Sequence, residues 1–172
     1  MKINFACGRN VIEGFYNIDA QRSPRAPRAP ELLFAMEFTP NGDLIRKIPL
    51  DDGCADYIQS MHFIEHVFRW EAPAVIAEFL RILKPGGRLV LELPNIEEAC
   101  RNLLAGMTDQ MCMWPLYGDW GHKDPYMMHK HGYTKKTIVG LLKECGLEKI
   151  QVLPPRTHKK RANRDMRVEA IK

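Results

Sequence analysis

Asp19 stands eleven positions after Gly8, and that spacing is the first sign of chemistry in this sequence. Gly8 sits in Ala6-Cys7-Gly8-Arg9-Asn10, directly after the short apolar run Ile3-Asn4-Phe5-Ala6. Small residues in such a turn let a ligand approach the backbone N–H groups. Asp19 closes a second short run, Tyr16-Asn17-Ile18-Asp19, and a carboxylate there can accept both hydroxyls of a ribose. A dinucleotide is the wrong ligand, because its site wants G-x-G-x-x-G with the acid roughly 20 residues on. Here the acid comes too soon, and only Val11, Ile12 and Glu13 precede Gly14. That is hardly one turn of helix on which to seat a pyrophosphate.

The imidazoles form the second group. His62-Phe63-Ile64-Glu65-His66 matches H-x-x-E-H, the inverted zinc-protease pattern, which on a helix would put both histidines on one face. A third ligand should come from a downstream acid, and nothing singles one out. Cys112, His122, His129 and His131 have irregular spacing and read as a histidine-bearing loop. No metal site is assigned. Cys7, Cys54, Cys100, Cys112 and Cys145 are odd in number and form no C-x-x-C pair, which fits free thiols in a reducing cytoplasm better than a disulfide scaffold.

Short elements must position these residues. Strands are expected over 3–6, 16–19, 32–38, 55–60, 88–93, 147–153 and 167–171. Ala72, Val75, Ile76, Phe79, Ile82 and Leu83 follow helical spacing, and Pro85-Gly86-Gly87 stops that helix. Ile96 to Leu104 reads as helical. So does the segment after Thr134, an N-cap, which ends at Gly146. Residues 22–30 form a loop with Pro24, Pro27 and Pro30 alternating with Arg22, Arg25 and Arg28. Residues 105–133 read as irregular. Alternating strands and helices imply an α/β, doubly wound, mostly parallel sheet with helices on both faces. No helix fits between Pro154 and Met166, so the last two strands should pair antiparallel.

The middle of the chain carries a resemblance. Asp43 to Asp56, then Ser60-Met61-His62-Phe63-Ile64-Glu65-His66, then Phe79-Leu80-Arg81-Ile82-Leu83-Lys84-Pro85-Gly86-Gly87-Arg88-Leu89-Val90 resemble the class I S-adenosylmethionine-dependent methyltransferases. The likeness is closest to the broad small-molecule branch called type 11, in a compact form, and covers roughly residues 3–94. It implies a Rossmann-like seven-stranded sheet with its last strand antiparallel, in a single methyltransferase domain over 1–172. It implies S-adenosylmethionine as cofactor. Asn4, Ala6, Cys7 and Gly8 fall on the loop that holds the methionine part. Asp19 falls on the ribose acid, Asp43 and Leu44 on the adenine edge, and Ser60, Met61 and His62 beneath the sulfonium. The family usually has an acid where Asn4 stands and glycines where Ala6 and Asn10 stand. Placing Asp43 treats residues 39–42 as a small insertion, with Glu37 as the fallback.

A sulfonium is already an activated electrophile, so alignment in a dry cleft is the main requirement and no catalytic triad is needed. His62 is the candidate base, against a reading as a histidine that caps a helix or bonds a carbonyl. His129, His131 and Tyr133 are candidates to bind the acceptor, because in this fold the irregular segment often covers it, and Asn95 is a candidate because, with Glu92, it flanks the end of the fifth strand beside the same cleft. The expected acceptor is a small molecule or glycan, methylated on O or N. The alternatives are a cofactor-binding protein without activity, a nucleic-acid methyltransferase, and a zinc hydrolase using His62 and His66.

Composition sets the bounds. The chain has 172 residues, 45% apolar and 27% charged, which excludes wholesale disorder, and no apolar run approaches a membrane span. The net charge is +4, yet Pro154 to Lys172 holds seven Lys/Arg and two Asp/Glu, so the remainder is near neutral. Arg156, Lys159, Lys160, Arg161 and Arg164 are expected on a protruding hairpin over 154–166. With the arginines of 22–30 they make two local basic patches, which suit an acidic or phosphorylated acceptor as well as RNA.

Overall fold

The computed structural model describes residues 1–157 and 163–172. The short apolar runs become strands β1 (Lys2–Phe5), β2 (Tyr16–Asp19), β3 (Leu32–Leu33), β4 (Ala55–Met61), β5 (Leu83–Pro94), β6 (Glu148–Leu153) and β7 (Asp165–Ile171). They form one seven-stranded sheet in the order β3-β2-β1-β4-β5-β7-β6. Pairing is parallel from β3 to β5, whereas β7 runs antiparallel to both β5 and β6. The expected doubly wound sheet with an antiparallel end is therefore found. The switch point lies at β1, where the chain first runs outward to β2 and β3 and then returns to β4. Ligands bind beyond the carboxyl ends of strands at such a point.

Helix α1 (Ala72–Ile82) buries Val75, Ile76, Phe79 and Ile82 on one face of the sheet. The Phe79 ring meets Phe5 edge-on at 5.1 Å, and Phe63 meets Phe5 likewise. Each such side chain contributes roughly 1.5–3 kcal/mol when fully buried. Arg81 staples this helix to the preceding loop: its guanidinium donates to both oxygens of Glu78 at 2.8–2.9 Å and to the carbonyls of Ile48 and Leu50. Glu78 in turn accepts the Ile48 N–H. At the helix end Gly86 takes φ +74, and a Cβ on Gly87 would lie 2.8 Å from the Lys84 carbonyl oxygen. Hence the Pro-Gly-Gly sequence: only glycine fits a turn this tight. α2 (Ile96–Leu104) and α3 (Met113–Tyr117) follow β5, and α4 (Lys135–Glu144) starts at Thr134, whose hydroxyl and that of Thr137 form a capping box.

Three expectations change. The third strand is two residues long, because it is an edge that pairs with β2 alone and Phe34 turns into the core. The segment 105–133 is not wholly irregular: it contains α3 and two 3-10 turns, Trp120–His122 and Pro125–Met127, each started by an Asp side chain accepting a backbone N–H. Arg164 is not part of a solvated basic patch. It is buried, grips both carboxylate oxygens of Asp165 at 2.7 Å, and donates to the Gln110 carbonyl. Lys159, Lys160 and Arg161 lie outside the described residues. No helix among the described residues is long and apolar enough to cross a membrane.

Candidate active site

The turn after β1 and the end of β2 meet as their spacing requires. Gly8 takes φ +54 and donates its N–H to Asp19 Oδ2 at 2.6 Å, while Asp19 Oδ1 accepts the Gln21 N–H at 3.1 Å. Each carboxylate oxygen has a second lone pair, so Asp19 can still accept hydroxyls. Nothing lies within 4 Å of the position a Gly8 Cβ would take, which leaves open space before the turn. Ala6 shares the left-handed conformation at φ +53 without being glycine.

Asn4 is buried one residue before Phe5 on β1 and is fully engaged. Its amide donates to the Asn10 carbonyl and to Asn17 Oδ1, both at 2.9 Å, and its oxygen accepts from Gln59 at 3.0 Å. Asn17 also accepts the Ile12 N–H and donates to the Ile12 and Phe15 carbonyls. Side-chain amides from three adjacent strands therefore fasten the 6–15 loop that replaces a crossover helix. Arg28, from the Arg/Pro loop, donates to the same Ile12 carbonyl at 3.0 Å. A cavity of about 350 Å³ opens here, lined by Asn4, Ala6, Cys7, Arg9, Asn10, Ile12, Gln59, Met61 and Thr157. Its size is at the low end for small-molecule sites. Burial, with the Asp19 charge behind it, pushes the Cys7 thiol up to about 12.

The carboxyl end of β4 holds the second cluster. His62 takes φ +54 as the strand ends, and a 3-10 turn, Ile64–His66, follows. The H-x-x-E-H run is thus not one helix, and its two histidines do not share a face. His62 Nδ1 lies 3.1 Å from Glu65 Oε1, and its Nε2 lies 3.8 Å from Asp165 Oδ2. Burial opposes charge on His62, but the Glu65 carboxylate outweighs it and raises the pKa; burial likewise opposes charge on Glu65, whose pKa the His62 bond lowers. The Glu65 carbonyl accepts the N–H groups of Lys130 and His131, which brings the 128–131 segment onto this turn. There His129 meets the His66 ring edge-on at 4.8 Å.

Of the other expected residues, Ser60 has a buried hydroxyl with no partner among the described residues. Asp43 is exposed, bonded to Thr39 across a small turn, and Leu44 pairs with Phe38. Neither lines the cavity. Asn95 caps α2 by accepting the Glu97 N–H, and it bridges Tyr133 through the backbone. The Tyr133 hydroxyl is buried without a partner among the described residues, and the His131 ring meets its ring edge-on at 4.7 Å. Sequence reasoning missed Asn17, Gln59 and Thr157. An asparagine inside an apolar strand pattern was the available signal for the first.

The family model described as a methyltransferase domain matches residues 24–91. Three solved structures illustrate the fold. A S-adenosylmethionine-dependent methyltransferase from Thermotoga maritima superposes with a TM-score of 0.60 at 15% identity, over 99% of this chain and 81% of that one. One from Archaeoglobus fulgidus gives 0.60 at 14%, over 99% and 85%. One from Methanosarcina mazei gives 0.55 at 18%, over 99% and 91%. No curated protein matches the sequence. At such identities the structures speak for the fold. The chain is similar to a methyltransferase domain over residues 24–91 and has the fold of these S-adenosylmethionine-dependent methyltransferases. An open glycine turn and a strand-end carboxylate meet at the switch point of the sheet, a donor set that would suit the methionine part and the ribose of S-adenosylmethionine.

Proposed function

We propose that this chain is an S-adenosylmethionine-dependent methyltransferase that, as one domain over residues 1–172, moves a methyl group to the oxygen or nitrogen of a small-molecule or glycan acceptor in the cytoplasm. The observation that carries the cofactor half is the Gly8–Asp19 bond of 2.6 Å beside an open cavity at the switch point of the sheet. Ala6, Cys7 and Gly8 would hold the methionine part, Asp19 the ribose, Asp43 and Leu44 the adenine edge, and Met61 the region beneath the sulfonium. Asn4 would act one step back, by holding the loop. S-adenosylmethionine supplies a methyl on a positively charged sulfur, ready for in-line displacement.

What the protein adds is enclosure and alignment. The 128–131 segment tied to Glu65 supports an acceptor site walled by Asn95, His129, His131 and Tyr133. His62, with a carboxylate facing each ring nitrogen, is suited to orienting groups at that wall. Five free cysteines fit a reducing compartment. Detection of S-adenosylhomocysteine release over panels of amines, hydroxy acids, sugars, sugar phosphates and RNA tests the acceptor class. Turnover is expected with a small molecule or a glycan. Turnover on RNA alone, falling steeply with salt, would replace this reading with a nucleic-acid methyltransferase.

A further inference from the structure

Glu65 Oε2 is a buried carboxylate oxygen with no hydrogen-bond partner among the described residues, while His62 occupies Oε1. An unmatched buried anionic oxygen is costly, and a cation is the obvious remedy. Two imidazoles lie near this carboxylate. His66 Nδ1 lies 3.0 Å from the Met128 carbonyl, and His129 Nδ1 lies 2.9 Å from the Pro115 carbonyl. A carbonyl oxygen only accepts, so each Nδ1 carries a hydrogen and each neutral ring keeps its lone pair on Nε2. Backbone carbonyls fix metal-binding histidines in the same way. One ligand atom from each of Glu65, His66 and His129 lies within 4.8 Å of the others.

We propose that Glu65, His66 and His129 bind a divalent transition-metal ion of the zinc class. Two imidazole nitrogens and one carboxylate oxygen match the donor set of open zinc sites, where a fourth position is left for water or a substrate oxygen. Bonds of about 2.1 Å to one ion require the ligand atoms to draw in by about an ångström. The ion fastens the 128–131 segment to the turn after β4, so it acts as a clasp on the acceptor side. It uses one histidine of the H-x-x-E-H run, with its glutamate, and replaces the other by a residue 63 positions away. This inference goes beyond the methyl-transfer reading and does not depend on it.

The test uses purified protein stripped with a chelator and titrated with Co²⁺ and then Zn²⁺. One equivalent of cobalt is expected, with visible d–d bands and no thiolate charge-transfer band. Zinc should displace it and raise the Tm by roughly 5–10 °C at a hundredfold excess over Kd. His129→Ala and the near-isosteric Glu65→Gln should each weaken binding about 100-fold or more, because losing even an outer partner of a ligand costs 10–100-fold. His122→Ala, on an exposed histidine, serves as the control and should bind normally. No cobalt uptake, a thiolate band, or uptake undiminished in both variants overturns the proposal. Titration of the stripped protein with S-adenosylmethionine reports separately on the methyltransferase reading.

Discussion

Asp19→Asn separates the two tasks assigned to this carboxylate. In the structure Oδ2 accepts the Gly8 N–H at 2.6 Å and Oδ1 accepts the Gln21 N–H at 3.1 Å. An amide retains one oxygen, so one of those two N–H groups faces an NH₂ instead. One lost hydrogen bond costs about 1 kcal/mol, which in a chain of this size lowers the Tm by roughly 2–4 °C. The larger effect falls on the ribose. An ionised carboxylate accepting a hydroxyl contributes about 1.5–3 kcal/mol, and the amide forfeits at least one such bond. The Kd for S-adenosylmethionine should then rise roughly 10–150-fold. Ribose contacts are made equally in the ground and transition states, so KM should rise while kcat stays within a few-fold. Isothermal titration and initial rates on the same preparation measure both. A Kd within threefold of wild type, in protein whose Tm has fallen as expected, would show that Asp19 shapes the loop and does not hold the ribose.

Other perturbations test other parts of the framework. Asn4→Asp restores the acid common in the family, yet it should destabilise by about 2–4 kcal/mol, since a buried carboxylate would face the Asn10 carbonyl and Asn17 Oδ1 with no proton to offer; an unchanged Tm would contradict the network. Arg81→Lys keeps the charge but loses the planar fork to Glu78 and the carbonyls of Ile48 and Leu50, for an expected loss of about 2–4 kcal/mol in denaturant unfolding. With its pKa at about 12, Cys7 is about one part in ten thousand thiolate at pH 8, so iodoacetamide should label exposed Cys100 and leave Cys7 until the protein unfolds; mass spectrometry showing early labelling at Cys7 would contradict its burial.

Much of the scaffold was legible because it obeys local rules. The period of Ala72 to Leu83, the Pro-Gly-Gly stop and the Thr134 cap each specify an element without help from afar. The antiparallel end followed from a length argument, since too few residues separate β6 and β7 for a crossover helix. Legibility failed where a residue's role depends on distant partners. Arg164 looked like one more cation in a basic tail, and only folding puts Asp165 and the Gln110 carbonyl around it. His129 looked like a loop histidine, because its companions lie more than sixty residues earlier. The H-x-x-E-H run misled in the opposite sense: its spacing is helical, but the backbone leaves β4 through a left-handed His62 and forms only a 3-10 turn.

The departures of the 4–10 segment from the pattern of the methyltransferases it resembles have a common physical cause. A doubly wound fold normally places a helix between its first two strands, and that helix satisfies its own backbone. Here residues 6–15 contain no helix, so the Asn10, Ile12 and Phe15 carbonyls must find donors elsewhere. Asn4 and Asn17 supply them, and a carboxylate at position 4 could not, because it only accepts. The amide at Asn4 is therefore the consequence of a short crossover, with Gln59 closing its remaining acceptor from β4. The same loop then delivers the Gly8 N–H to Asp19 with its turn held rigid from behind. An amide at position 4 thus supports the loop from behind, and the Gly8–Asp19 contact is kept.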